Sequence, residues 1–132
     1  MIAAAFRSRR GASNKLLRLV ALGRMRTLLT TALFLEYEAV LKRPEQRLVT
    51  GLGIEQIDRV LAALASAAEP VAVHFRWRPQ LADPGDEMVL EAAVNGRADA
   101  LVTHNIRDFV RPAGRFGLPV VRPGELVKRL RP

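Results

Sequence analysis

Four residues in three separated segments have the side chains for ion chemistry: Glu36, Asp86, and the pair Asn105 and Asp108. Each stands beside an otherwise apolar stretch. Carboxylates at the edges of core-facing elements usually converge on something, most commonly a divalent metal. Crowded carboxylates repel one another unless a cation neutralises them, and such a cation orients and activates a water. The chain has no cysteine, which excludes disulfides, thiolate metal sites and a cysteine nucleophile. Oxygen or imidazole donors remain, and the hard cations Mg²⁺ and Mn²⁺ suit them best.

Each residue also has an ordinary explanation. Asp86 fits a first-turn acid complementing a helix dipole. Asn105 and Asp108, three apart, fit an N-cap and its capping partner. Glu36 fits a solvated flank, as Glu38 does on the other side of the same arc. Asp99 is expected to shape a turn, Glu87 and Glu91 to form an exposed helix face, and His104 to be incidental. Trp77, between Arg76 and Arg78, suits a partly buried loop position better than stacking on a base. The residues alone leave these alternatives open.

The elements that must position them follow from periodicity and punctuation. Ser13-Asn14 precede an apolar series from Leu16 to Val20 that predicts a helix ending at Gly23, followed by a strand at Arg26 to Leu29. Thr30-Thr31 cap a helix with Leu33, Tyr37, Val40 and Leu41 inward, and Arg43-Pro44 end it. Thr50 to Gly53 is a loop; Ile54 to Ala65 keeps helical spacing up to a break at Glu69-Pro70, and Val71 to Phe75 predicts a strand. After a polar stretch to Ala82, Asp83-Pro84 opens a helix that runs to Asn95-Gly96. Ala100 to Thr103 and Leu118 to Val121 predict strands, and Gly124 to Leu130 a last helix. Helices alternating with short, wholly apolar strands argue for an α/β fold with a parallel sheet covered on both faces. Ligands of such sheets bind beyond the carboxyl ends of the strands, near the switch in strand order.

At 132 residues and 49% hydrophobic content the chain is expected to form a single domain over 1–132, soluble and cytoplasmic, with no membrane-spanning segment or signal peptide. The net charge of +8 is mostly arginine, whose planar fork suits phosphate, so nucleic acid is a plausible partner and a merely solvated surface the alternative. Residues 1 to 35 contain no acid, while ten of the 13 acids fall from Glu36 to Glu91. No glycine-rich phosphate loop follows a strand, which counts against a nucleotide binder.

Three segments, Glu36 to Pro44, Asp83 to Met88 and Ala98 to Phe109, in this order and spacing, resemble the PIN-domain nucleases, specifically the toxin components of bacterial toxin and antitoxin pairs. The resemblance covers nearly the whole chain and implies a three-layer α/β/α fold and metal-dependent cleavage of RNA. It also implies that Glu36, Asp86 and Asp108 hold Mg²⁺ or Mn²⁺, with Asn105 in the catalytic set. Thr103 is expected to assist a ligand or the water, and Arg7, Arg9 and Arg10 to bind substrate. A cognate antitoxin and a homodimer are the implied partners. The chain departs from the family at its start. The family's first, central strand ends in an Asp-Thr-Asn motif that supplies a metal ligand; this strand is expected to be missing here, with Met1 to Ser8 taking the place of the helix after the motif. A misplaced start codon or a decayed copy would each produce such a chain, and the intact remainder favours the first. If the loss is real, the implied alternative is an impaired remnant that binds RNA or antitoxin without cleaving.

Overall fold

The computed structural model describes residues 2–7, 25–74 and 80–129. Five parallel strands form one sheet in the order β3-β2-β1-β4-β5. They are β1 (Ile2–Arg7), β2 (Met25–Leu29), β3 (Glu69–Pro70), β4 (Ala100–Thr103) and β5 (Val120–Val121). The helices are α1 (Thr31–Leu41), α2 (Pro44–Thr50), α3 (Ile54–Ala67), α4 (Pro84–Asn95), α5 (Ile106–Gly114) and α6 (Pro123–Arg129). The expected α/β fold is therefore present, a parallel sheet flanked by helices.

The expectation of a missing central strand is corrected. Ile2–Arg7 is strand, not helix, and it lies at the centre of the sheet, paired with β2 through Ile2, Ala3 and Ala4 and with β4 through Ala4 to Arg7. A six-residue run that is apolar almost throughout carries no period, so helix and buried strand cannot be distinguished in it. Pairing decides: both β2 and β4 have a backbone edge to satisfy there. Asp99 reinforces the slot, its carboxylate accepting from the Ala3 N–H at 2.8 Å while its own N–H donates to the Ala3 carbonyl at 2.7 Å.

Alternation along the strands divides the core. Ala5 and Leu101 join one buried cluster with Leu33, Ile57, Val89 and Phe109 of α1, α3, α4 and α5. Ala4, Phe6, Ala100 and Val102 join another with Leu126 of α6. Each large apolar side chain so buried contributes about 1.5 to 3 kcal/mol.

Local chemistry explains the helices. The Thr30 hydroxyl accepts from the Leu33 N–H at 3.0 Å and caps α1, whose buried residues Leu33, Tyr37, Val40 and Leu41 make one stripe. Pro44 stands in the first turn of α2, and Gly51 ends it with φ +72°. No residue of α2 is buried, so it left no apolar period in the sequence. The third strand is also displaced from its expected place: Glu69–Pro70 is β3, paired with β2, and Val71 to His74 lie outside it. A proline argues against a central strand, but β3 is an edge strand, where a missing N–H is tolerated. Glu87 and Glu91 are buried rather than exposed, because α4 packs against both α1 and the sheet. At the end of α4, Gly96 has φ −86°, so it is no left-handed cap. Space requires it: a Cβ there would lie 2.8 Å from the Ala92 carbonyl oxygen.

Candidate active site

Parallel strands point their carboxyl ends to one edge of the sheet, and from β1 the strand order runs outward both ways, to β2 and β3 and to β4 and β5. The switch point is therefore at β1 and β4, where Arg7 pairs with Thr103. α1 and α5 leave β2 and β4 at this edge, and α4, which leads back into β4, begins there.

Two of the expected acids meet at this edge. Asp86 and Asp108 line one cleft of about 270 Å³ together with Gln80, Leu81, Ala82 and Asp83. Asp86 lies in the first turn of α4, only 4% exposed, where the helix dipole favours a carboxylate. Pro84 at the start of the helix and the Asp83 side chain, which accepts from the Gly85 N–H at 2.8 Å, fix that turn. Asp108 is exposed, in the first turn of α5. The Asn105 amide donates to its carboxylate at 2.5 Å. Asn105 is the N-cap residue of α5, but its side chain caps no backbone N–H; its own N–H donates instead to the hydroxyl of buried Thr103 at 3.0 Å. Thr103, Asn105 and Asp108 thus form a chain of hydrogen bonds from the strand end to the cleft.

Glu36, half-buried on α1, does not line the cleft. Among the described residues no three of His, Cys, Asp and Glu stand close enough together to hold a metal ion. Next to Glu36, the Tyr37 hydroxyl donates to the Phe6 carbonyl and ties α1 to the carboxyl end of β1. Arg7 is placed only as backbone of β1, opposite Thr103. Arg9 and Arg10 lie outside the described residues, as do the expected helix around Leu16 to Val20 and Trp77.

Sequence reading missed the wall of the cleft. Buried Glu87 accepts from the Gln80 N–H at 2.6 Å and the Leu81 N–H at 2.8 Å, holding that stretch against α4. Gln80 in turn accepts from the Arg115 guanidinium across 35 residues. Neither role has a spacing that marks it, since each joins segments distant in the chain or a loop to a helix. The two carboxylates offer only oxygen, which fits a hard divalent cation, since Mg²⁺ is held by one or two carboxylates and keeps several waters.

Among the described residues no helix is long and apolar enough to cross a membrane. A family model described as PIN domain matches residues 1–107. No curated protein matches the chain.

Proposed function

Because the chain belongs to the PIN-domain family, whose members are generally nucleases that use divalent metals, we propose that it is a Mg²⁺- or Mn²⁺-dependent endoribonuclease. We read residues 1–132 as one such domain, acting in the cytoplasm as the toxin of a toxin and antitoxin pair and forming a homodimer. The observation that carries the reading is that Asp86 and Asp108, 22 positions apart in the sequence, line one cleft between the first turns of α4 and α5. Asp86 and Asp108 would hold the cation, and Glu36, on α1 outside the cleft, would complete the acid set only once the cation draws it in. When bound, the cation supplies charge neutralisation at the phosphodiester and lowers the pKa of a water. Asn105 orients the Asp108 carboxylate, and Thr103 holds the Asn105 backbone in place. Purified protein with Mn²⁺ is expected to cut single-stranded RNA. Asp86→Asn is expected to lower the rate by about 100-fold or more, above the range for residues that only support a metal ligand. A variant that cuts as well as the parent defeats the proposal.

A second reading, a PIN-like chain that binds RNA or antitoxin without cleaving, is favoured by one observation: no group of three candidate ligands is close together among the described residues. It predicts salt-sensitive, metal-independent RNA binding. Metal-dependent cleavage by this chain excludes it.

A further inference from the structure

A row of arginines lies along α5 and its C-cap, beside the acidic cleft. Arg107, Arg111 and Arg115 recur every four residues, and all three are exposed. At about 100° per residue they fall with Asp108 in an arc of roughly 100°, on a different side of the helix from the buried Phe109, Pro112 and Ala113. The row is tied to the cleft at two points. Asp108 lines the cleft, and Arg115 donates a hydrogen bond to Gln80, which also lines it. The side chains of Arg107 and Arg111 make no hydrogen bond or ion pair with any described residue. Compensation of the helix dipole accounts for Arg111 and Arg115 near the carboxyl end of α5. It does not account for Arg107, since a cation in the first turn opposes the dipole.

We propose that this face of α5 is the track for single-stranded RNA, with Arg107, Arg111 and Arg115 gripping backbone phosphates and leading the strand to Asp86 and Asp108. The inference rests on the nuclease reading of the cleft. Successive arginines rise about 6 Å along the helix axis, and each guanidinium is a planar fork suited to phosphate. A single strand fits better than a duplex because Asp86 is recessed, and only a flexible strand can bend a phosphate toward it.

The test measures binding of a fluorescein-labelled single-stranded oligoribonucleotide by anisotropy across about 50 to 200 mM salt, in an Asp86→Asn background that prevents turnover. Arg107→Gln/Arg111→Gln/Arg115→Gln is compared with Arg43→Gln/Arg59→Gln/Arg97→Gln, which removes the same charge from exposed sites off α5. The α5 triple is expected to make the dependence of log K on log salt shallower by about 2, at roughly 0.7 per phosphate contact, and the control to leave it unchanged. Equal slopes for the two triples overturn the track. If the α5 triple fails to fold by circular dichroism, Arg107→Gln alone is expected to lower the slope by about 0.7, and an unchanged slope overturns the track in the same way. Cleavage by the parent with Mn²⁺ is scored separately. A parent that cuts while the slopes stay equal loses the track and keeps the nuclease reading. A parent that does not cut while the slope falls loses the nuclease reading and keeps the RNA track.

Discussion

Thr103 is the residue on which the geometry around Asp108 depends. Its hydroxyl holds the Asn105 N–H at 3.0 Å, and the Asn105 amide holds the Asp108 carboxylate. Thr103→Val keeps the shape but leaves that N–H without its partner, so it is expected to cost about 1 to 3 kcal/mol in urea denaturation. It should also slow RNA cleavage, while Thr103→Ser, which keeps the hydroxyl, retains most of both. Equal rates for the two variants would remove Thr103 from the positioning of Asp108. The Tyr37 hydroxyl plays a simpler part, one bond to the Phe6 carbonyl; Tyr37→Phe is expected to lower stability by about 0.5 to 1.5 kcal/mol. Asp86 and the Asn105/Asp108 pair were legible as candidates because acids beside apolar runs are conspicuous. The buried role of Glu87 was not, because a charged residue four before Glu91 reads as a solvated helix face until the partners of both faces are known.

The elements of this fold meet with little slack at the end of α4. A Cβ on Gly96 would lie 2.8 Å from both the Ala92 carbonyl oxygen and Leu28 Cδ1, and 2.9 Å from Val71 Cγ2. Because the backbone atom among these belongs to the last turn of α4 itself, relief requires that helix end to distort while the Leu28 and Val71 side chains also give way. Gly96→Ala is therefore expected to destabilise by about 1 to 3 kcal/mol, read as a lowered urea midpoint. A neutral result would mean that the helix end gives way easily. Between α1 and α3 an ion pair adds to the shared apolar packing of Leu33, Leu41, Ile57 and Leu61. The Lys42 ammonium lies 2.8 Å from Asp58 and 3.2 Å from Glu38, and these hydrogen bonds, that to Asp58 foremost, raise its pKa above 10.5. A raised folded-state pKa means that the pair's contribution is fully present below the ordinary lysine value and is lost as pH rises through the folded one. Lys42→Met should lower the urea midpoint slightly at pH 7, and the difference from the parent should vanish above the folded-state pKa. A difference that persists there would point to lost packing of the lysine stem instead.

For the whole molecule, the core and the acidic cleft are separable. Apolar burial between the sheet and its helices supplies the core, while Asp86 and Asp108 stand in the first turns of α4 and α5. Removing metal with EDTA is therefore expected to stop RNA cleavage while leaving the circular dichroism spectrum unchanged. Unfolding on chelation would mean that the cation is structural. Light scattering on a sizing column checks the proposed homodimer, and a clean monomer across concentrations would withdraw it.

The sequence by itself determined that helices and apolar strands alternate, that their sheet is parallel, that Asp86 begins a helix and that Asn105 and Asp108 directly follow a strand, which lets these residues gather at one rim. Those features are local: a proline in a first turn, a threonine cap, a short β-branched run, each acting within a few residues. Only the tertiary structure decided that Ile2–Arg7 is the central strand, since an aperiodic apolar run takes whichever form its neighbours need. It decided likewise that Pro70 lies on an edge, that Gly96 is confined by space rather than by φ, and that Gln80 joins Arg115 to the wall of the cleft. Each of these depends on what a distant segment brings within a few ångströms, and spacing along one chain carries no record of that distance.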